Sequence, residues 1–121
     1  RPQGEIVWFE NELDFNDYNG NDTVTSNTGV NAESQSNGKI PKGAKALYCS
    51  ILGVGDAVDE SLWVYDGSDT EVKGVWAMVQ VTGRYIIANG WQQCDSNGDV
   101  GIARDGSFTN VRLRVTGVQL R

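Results

Sequence analysis

Turn signals punctuate this chain from residue 39 onward at a spacing that leaves room for strands and for little else. Asp66-Gly67, Asn89-Gly90, Asn97-Gly98 and Asp105-Gly106 are turn dipeptides, and with the Pro41-Lys42-Gly43 turn and the Gly53, Gly55, Asp56 group they arrive roughly every 8–12 residues. Between them the side chains alternate. In residues 107–121, SFTNVRLRVTGVQLR, Val111, Leu113 and Val115 alternate with Asn110, Arg112, Arg114 and Thr116. A period of two puts three apolar side chains on one face and both guanidiniums on the other.

The same alternation recurs upstream. Leu62 and Val64 oppose Trp63 and Tyr65, and Val75, Ala77, Val79 and Val81 oppose Trp76, Met78, Gln80 and Thr82. Residues 40–54 put Leu47, Cys49 and Ile51 against Lys45, Tyr48 and Ser50, with a slip of phase near Ala46 that suits a β-bulge. RYIIANGW reads as a strand broken at Asn89-Gly90, and DVGIARDG as one bounded by turns on both sides. No stretch keeps a helical period over ten residues. Regular spacing of short strands predicts an all-β, antiparallel β-sandwich, jelly-roll-like, with almost no helix.

The first forty residues have a different texture. A short strand, EIVWF, occupies residues 5–9, and behind it runs a long segment of Asn, Asp, Ser, Thr and Gly. Seven acids stand there against Arg1 and Lys39, a net of −5, while the whole chain of 121 residues carries −6. Such a composition buries little surface by itself. Residues 1–38 are therefore expected as an extended acidic arm with a short strand around residues 23–30, and 39–121 as the β-sandwich domain. An arm of this kind lies either on its own domain or on a neighbouring subunit. In the second case its acids would meet Arg112 or Arg114, and Trp8, Phe9, Arg112 and Arg114 would form the interface.

Charge and composition exclude several roles. A chain at −6 lacks the basic face of an electrostatic nucleic-acid binder and is ill suited to an anionic membrane surface. No apolar run reaches the ~18 residues that span a bilayer, and the opening residues carry no signal-peptide pattern. The complete absence of His removes the commonest general base and metal ligand. Carboxylates are numerous, and Asp59-Glu60 before Leu62 is the best pair, but acid–base work needs one carboxyl held in an apolar pocket. No catalytic signature is present, and the chain is read as non-enzymatic and free of cofactor.

Local motifs have ordinary explanations beside the chemical ones. CDSNGD spaces Asp95, Asn97 and Asp99 like the first ligands of a calcium loop, with Asp105 where the pattern wants a Glu. Both flanks read as strand, and an Asn-Gly hairpin turn accounts for the residues. Cys49 and Cys94 are candidates for a disulfide, but two cysteines make no framework, and Cys49 also fits an apolar face as a small hydrophobe. Asn21-Asp22-Thr23 fits the glycosylation sequon in an Asn-rich stretch that yields it by composition. Asp66-Gly67-Ser68-x-Thr70-x-Val72 is echoed by Asp105-Gly106-Ser107-x-Thr109-x-Val111, which is common turn chemistry. Trp63, Tyr65 and Trp76, joined by Trp91, could instead build an aromatic platform for sugars, in which case the chain is an extracellular glycan-binding module.

Two motifs carry a resemblance. Pro41-Lys42-Gly43-Ala44-Lys45-Ala46 and the run from Phe108 to Gly117 resemble the opening and closing strands of small β-sandwich domains in tailed-bacteriophage virion proteins, as in fibres, knobs and capsid decoration proteins. The final Gly is often followed there by an aromatic; here Val118 stands instead. The likeness covers residues 39–121 and leaves the acidic arm aside. It implies a virion structural role, a homotrimer, and contacts with the major capsid protein or other virion proteins.

Overall fold

The computed structural model describes residues 5–21, 27–67 and 73–121. Among the described residues eight strands form: β1 (Ile6–Asn21), β2 (Asn27–Val30), β3 (Ala46–Gly55), β4 (Ser61–Asp66), β5 (Trp76–Met78), β6 (Tyr85–Gln93), β7 (Val100–Asp105) and β8 (Phe108–Gln119). One short helix, α1 (Ala32–Gln35), is capped by Asn31, whose side chain accepts from the Ser34 amide at 3.0 Å.

The strands make two antiparallel sheets, ordered β1-β8-β3-β6 and β2-β7-β4-β5. Strand 1 pairs with 8, 2 with 7, 3 with 6 and 4 with 5. The chain is thus one long hairpin wound on itself, which is the jelly-roll topology. The all-β sandwich expected from turn spacing and alternation is the fold found.

The core lies between the sheets. Val111, Leu113 and Val115 of β8 are fully buried, as are Ile51 of β3, Leu62 and Val64 of β4 and Ile102 of β7. Each sits at the inward position that alternation assigns. Among the described residues Gln92 is the largest of three buried polar side chains, with Ser36 and Ser61: its Oε1 accepts the Val75 amide at 3.1 Å and its Nε2 donates to the Gln93 carbonyl at 3.1 Å. It ties β6 of one sheet to the segment entering β5 of the other, so a buried amide is satisfied on both sides.

Four expectations are corrected. The described part of the acidic arm is not peripheral to the domain: β1 pairs along β8, and β2 pairs with β7. The sandwich takes two of its eight strands from residues 1–38. Residues 23–26 of the expected short strand, with Asp22 and Thr23 of the sequon, lie outside the described residues, as does the echo over residues 68–72. The phase slip near Ala46 is absent, since Ala46 pairs regularly with Gln93. The irregularities fall on β8 instead, where Thr116 and the positive-φ Asn110 are extra residues opposite β3. Finally, Asn89-Gly90 makes no break. Asn89 pairs with Ser50 and Gly90 with Cys49 inside a continuous β6, because nine residues of pairing with β3 outweigh a local turn preference. The strand expected through residues 75–82 is also short: β5 ends at Met78, Val79 is still buried, and Val81 is 56% exposed.

Candidate functional site

The outer face of the β1-β8-β3-β6 sheet carries the molecule's most unusual surface. Strand register sets Trp8 beside Gly117, Gly117 beside Tyr48, and Tyr48 beside Trp91, in one row across all four strands. Gly117 is the gap that lets the row close. A Cβ there would meet Trp8 Cε3 at 2.7 Å, so the indole lies over the bare backbone. The three rings then touch mutually, with centroids 5.5 Å apart for Trp8–Tyr48, 5.4 Å for Tyr48–Trp91 and 5.6 Å for Trp8–Trp91. Their planes are inclined by 64°, 78° and 58° respectively, an edge-to-face bundle.

This bundle faces solvent. Trp8 is 58% exposed and Trp91 41%, and Ile6, Tyr85 and Ile87 on the same face are exposed too. Scattered exposed apolar residues are normal; here Trp8, Tyr48 and Trp91 are in mutual contact, with Ile87 and Tyr85 farther along β6 beyond Asn89.

A polar row lies next to the aromatic one: Asp14, Arg114, Ser50 and Asn89 stand side by side. Arg114 Nε donates to Asp14 Oδ1 at 3.0 Å, and Glu12 is 3.9 Å from the same guanidinium. The contact expected between the arm's acids and a neighbouring subunit's arginine is instead made within one chain, because β1 pairs along its own β8. Arg112 sits one step farther along, opposite Leu52, with its buried Nε lacking a hydrogen-bond partner. Of the expected interface residues, Trp8, Arg112 and Arg114 share this face, whereas Phe9 is half-buried and packs against the core.

The proposed sugar platform is not assembled. Trp63 and Trp76 are cross-strand neighbours on the other sheet, but Lys73 Nζ stands 4.6 Å from one ring centroid and 5.5 Å from the other. The ammonium occupies the position over the ring face that a pyranose would need. Tyr65 is 3% exposed, lying across Gly101, where a Cβ would meet its Cζ.

The acids and thiols have structural employment. Asp95 Oδ1 accepts from the amides of Asn97 and Asp99 at 2.9 and 3.0 Å, closing the β6–β7 turn. Burial and the neighbouring Asp95 push the Asp99 carboxyl up. Glu60 accepts from the Ser107 amide at 2.6 Å, and a hydrogen bond with Asp56 raises its carboxyl above the ordinary value. It lies at the surface, half-buried among polar neighbours, unlike the apolar pocket a general acid requires. Cys49 and Cys94 are both free and buried, each pushed up to about 12 by desolvation. The candidate disulfide fails on register. Cys94 donates its amide to Lys45, four strand positions from Cys49, roughly 13 Å at ~3.3 Å per residue and far beyond the ~6 Å of a bridge.

Sequence reasoning found Trp8 and missed the company it keeps. Alternation puts Tyr48 on the outward side of β3 without assigning it a role, and Trp91 keeps company with Trp8 and Tyr48 instead of Trp63 and Trp76. Large aromatics at outward strand positions were the available signal. Comparison with family models, with curated proteins and with solved structures returns no match for this chain.

Proposed function

We propose that this chain is a non-enzymatic virion structural protein of the capsid decoration (cement) kind, or a fibre or knob domain, that docks onto other virion proteins through the outer face of the β1-β8-β3-β6 sheet. The observation that carries the reading is the exposed row of Trp8, Tyr48 and Trp91. Protein interfaces concentrate their binding energy in Trp, Tyr and Arg anchors set in an otherwise near-neutral surround. Here two tryptophans and a tyrosine stand beside Arg114 and Arg112. The inclined rings offer edges and clefts that suit protein side chains; a sugar stacks best on a flat ring face. Jelly rolls serve both viral shells and lectins, and the likeness of residues 41–46 and 108–117 to phage virion domains favours the first. The major capsid protein is the expected partner and the virion the expected location.

Immunoblotting of density-banded phage particles from the source lysate tests this. The chain should band with the particles at a fixed ratio to the major capsid protein. Substituting Trp8→Ala and Trp91→Ala together should release it to the soluble fraction. A chain absent from banded particles would contradict the proposal. A glycan-array signal lost in Trp63→Ala or Trp76→Ala would replace it with the lectin reading.

A further inference from the structure

Four strands lie at sheet edges: β1, β6, β2 and β5. An edge strand presents unpaired N–H and C=O groups, and proteins that stay apart blunt such edges with charge, bulges or brevity. Three of these edges are blunted. β2 has four residues and β5 three. β1 is long but carries Glu10, Glu12, Asp14 and Asp17, breaks register three times, and has its Asp17 amide capped by Gln35. β6 has none of these protections. Its nine residues, YIIANGWQQ, contain no charge and no proline, in a chain with a net charge of −6. Tyr85 and Ile87 are 55% and 61% exposed, and among the described residues β3 is the only strand paired with it.

The geometry points to a second copy of this chain as the occupant of that edge, its β6 pairing antiparallel with this one about a two-fold axis centred on Asn89. The result is a continuous eight-stranded sheet. A two-fold perpendicular to the sheet keeps both cores on the same side and pairs residues of equal parity. Centring it on Asn89 lets the whole strand pair. Tyr85 then faces the second copy's Gln93, Ile87 faces its Trp91, and Asn89 faces its own counterpart. The row Trp8, Tyr48, Trp91 continues into the second copy's Ile87, covering the most exposed apolar side chain of the strand. Main-chain pairing supplies the attachment and the apolar outer positions set the register. This contact is isologous, so it gives a dimer where the phage resemblance implies a trimer. It also stands independently of the docking role, which particle blotting tests separately.

Light scattering on the full chain decides it. The wild type should have twice the 13.2 kDa chain mass. Asn89→Lys places two ammoniums directly opposite one another at an exposed position, and like charges so placed are destabilising; the mass should fall to 13.2 kDa with the thermal melt of the fold retained. Asn89→Asp should behave the same way. An equimolar mixture of the two variants should regain the doubled mass, which also shows that both are folded. A wild type of one or of three chain masses would overturn the inference, as would an Asn89→Lys variant that keeps the doubled mass, or a mixture that remains monomeric.

Discussion

The two edges of the β1-β8-β3-β6 sheet are built in opposite ways. β1 is bulged and acidic, and α1 and the turn after it clip it down: Gln35 Nε2 donates to Asp17 Oδ2 at 2.8 Å, and Asn16 Nδ2 to Asn37 Oδ1 at 3.0 Å. β6 is flat in register from Tyr85 to Gln93, uncharged and unclipped. β1 is secured by what it buries, Phe15 and Tyr18 among them. Apart from Gln92, β6 buries no side chain fully. One edge is closed against company and the other is left open.

Stability should divide the same way. Phe15 is fully buried, and Phe15→Ala should cost about 3–5 kcal/mol in urea unfolding. Ile87→Ala, in an Asn89→Lys background that holds the chain monomeric, should stay within about 0.5 kcal/mol. Equal costs would mean that the outer face of β6 is structural and the contrast false.

The buried core also has a pH signature. Cys49 and Cys94 hold their protons up to about 12 in the folded chain, against an ordinary 9.0. A group whose folded value is raised contributes stability in full below its unfolded value. Above that, the unfolded state sheds protons that the folded state keeps, and the contribution is lost. Stability should therefore fall as pH rises from 9.0 towards 12. The phenols of Tyr18 and Tyr65, raised by burial, add in the same direction. Urea midpoints across this range should decline less steeply in Cys49→Ala, which isolates the thiol. An unchanged slope would place Cys49 outside the core.

The charges on β1 should have a small effect too. Arg114 and its partners Asp14 and Glu12 are partly exposed, so Arg114→Ala should cost only about 0.2–1 kcal/mol, shrinking with added salt. A larger, salt-insensitive loss would show that β1 is held by this ion pair more than by its buried rings.

β8 was legible because its apolar residues keep strict alternation through Val111, Leu113 and Val115, and the structure buries all three completely. β1 was not. Its inward residues Phe9, Leu13 and Phe15 share one parity with a polar Asn11 between them, and Tyr18 falls on the other, because the bulge after Asp14 resets the phase. Its acids, which blunt an edge, read in sequence as a solvated arm. Asn89-Gly90 misled in the opposite direction, since pairing with β3 carries the strand through a dipeptide that locally favours a turn. The aromatic row was invisible for a further reason. Trp8, Tyr48 and Trp91 meet only through register across four strands, and the residue that lets them touch, Gly117, contributes no side chain at all.

Hydrogen exchange tests the open edge most directly. Backbone amides of β6 should gain protection as chain concentration rises, and that gain should vanish in Asn89→Lys, while β1 amides exchange alike at every concentration. Protection of β6 that is independent of concentration, or a gain that appears on β1 instead, would contradict the account.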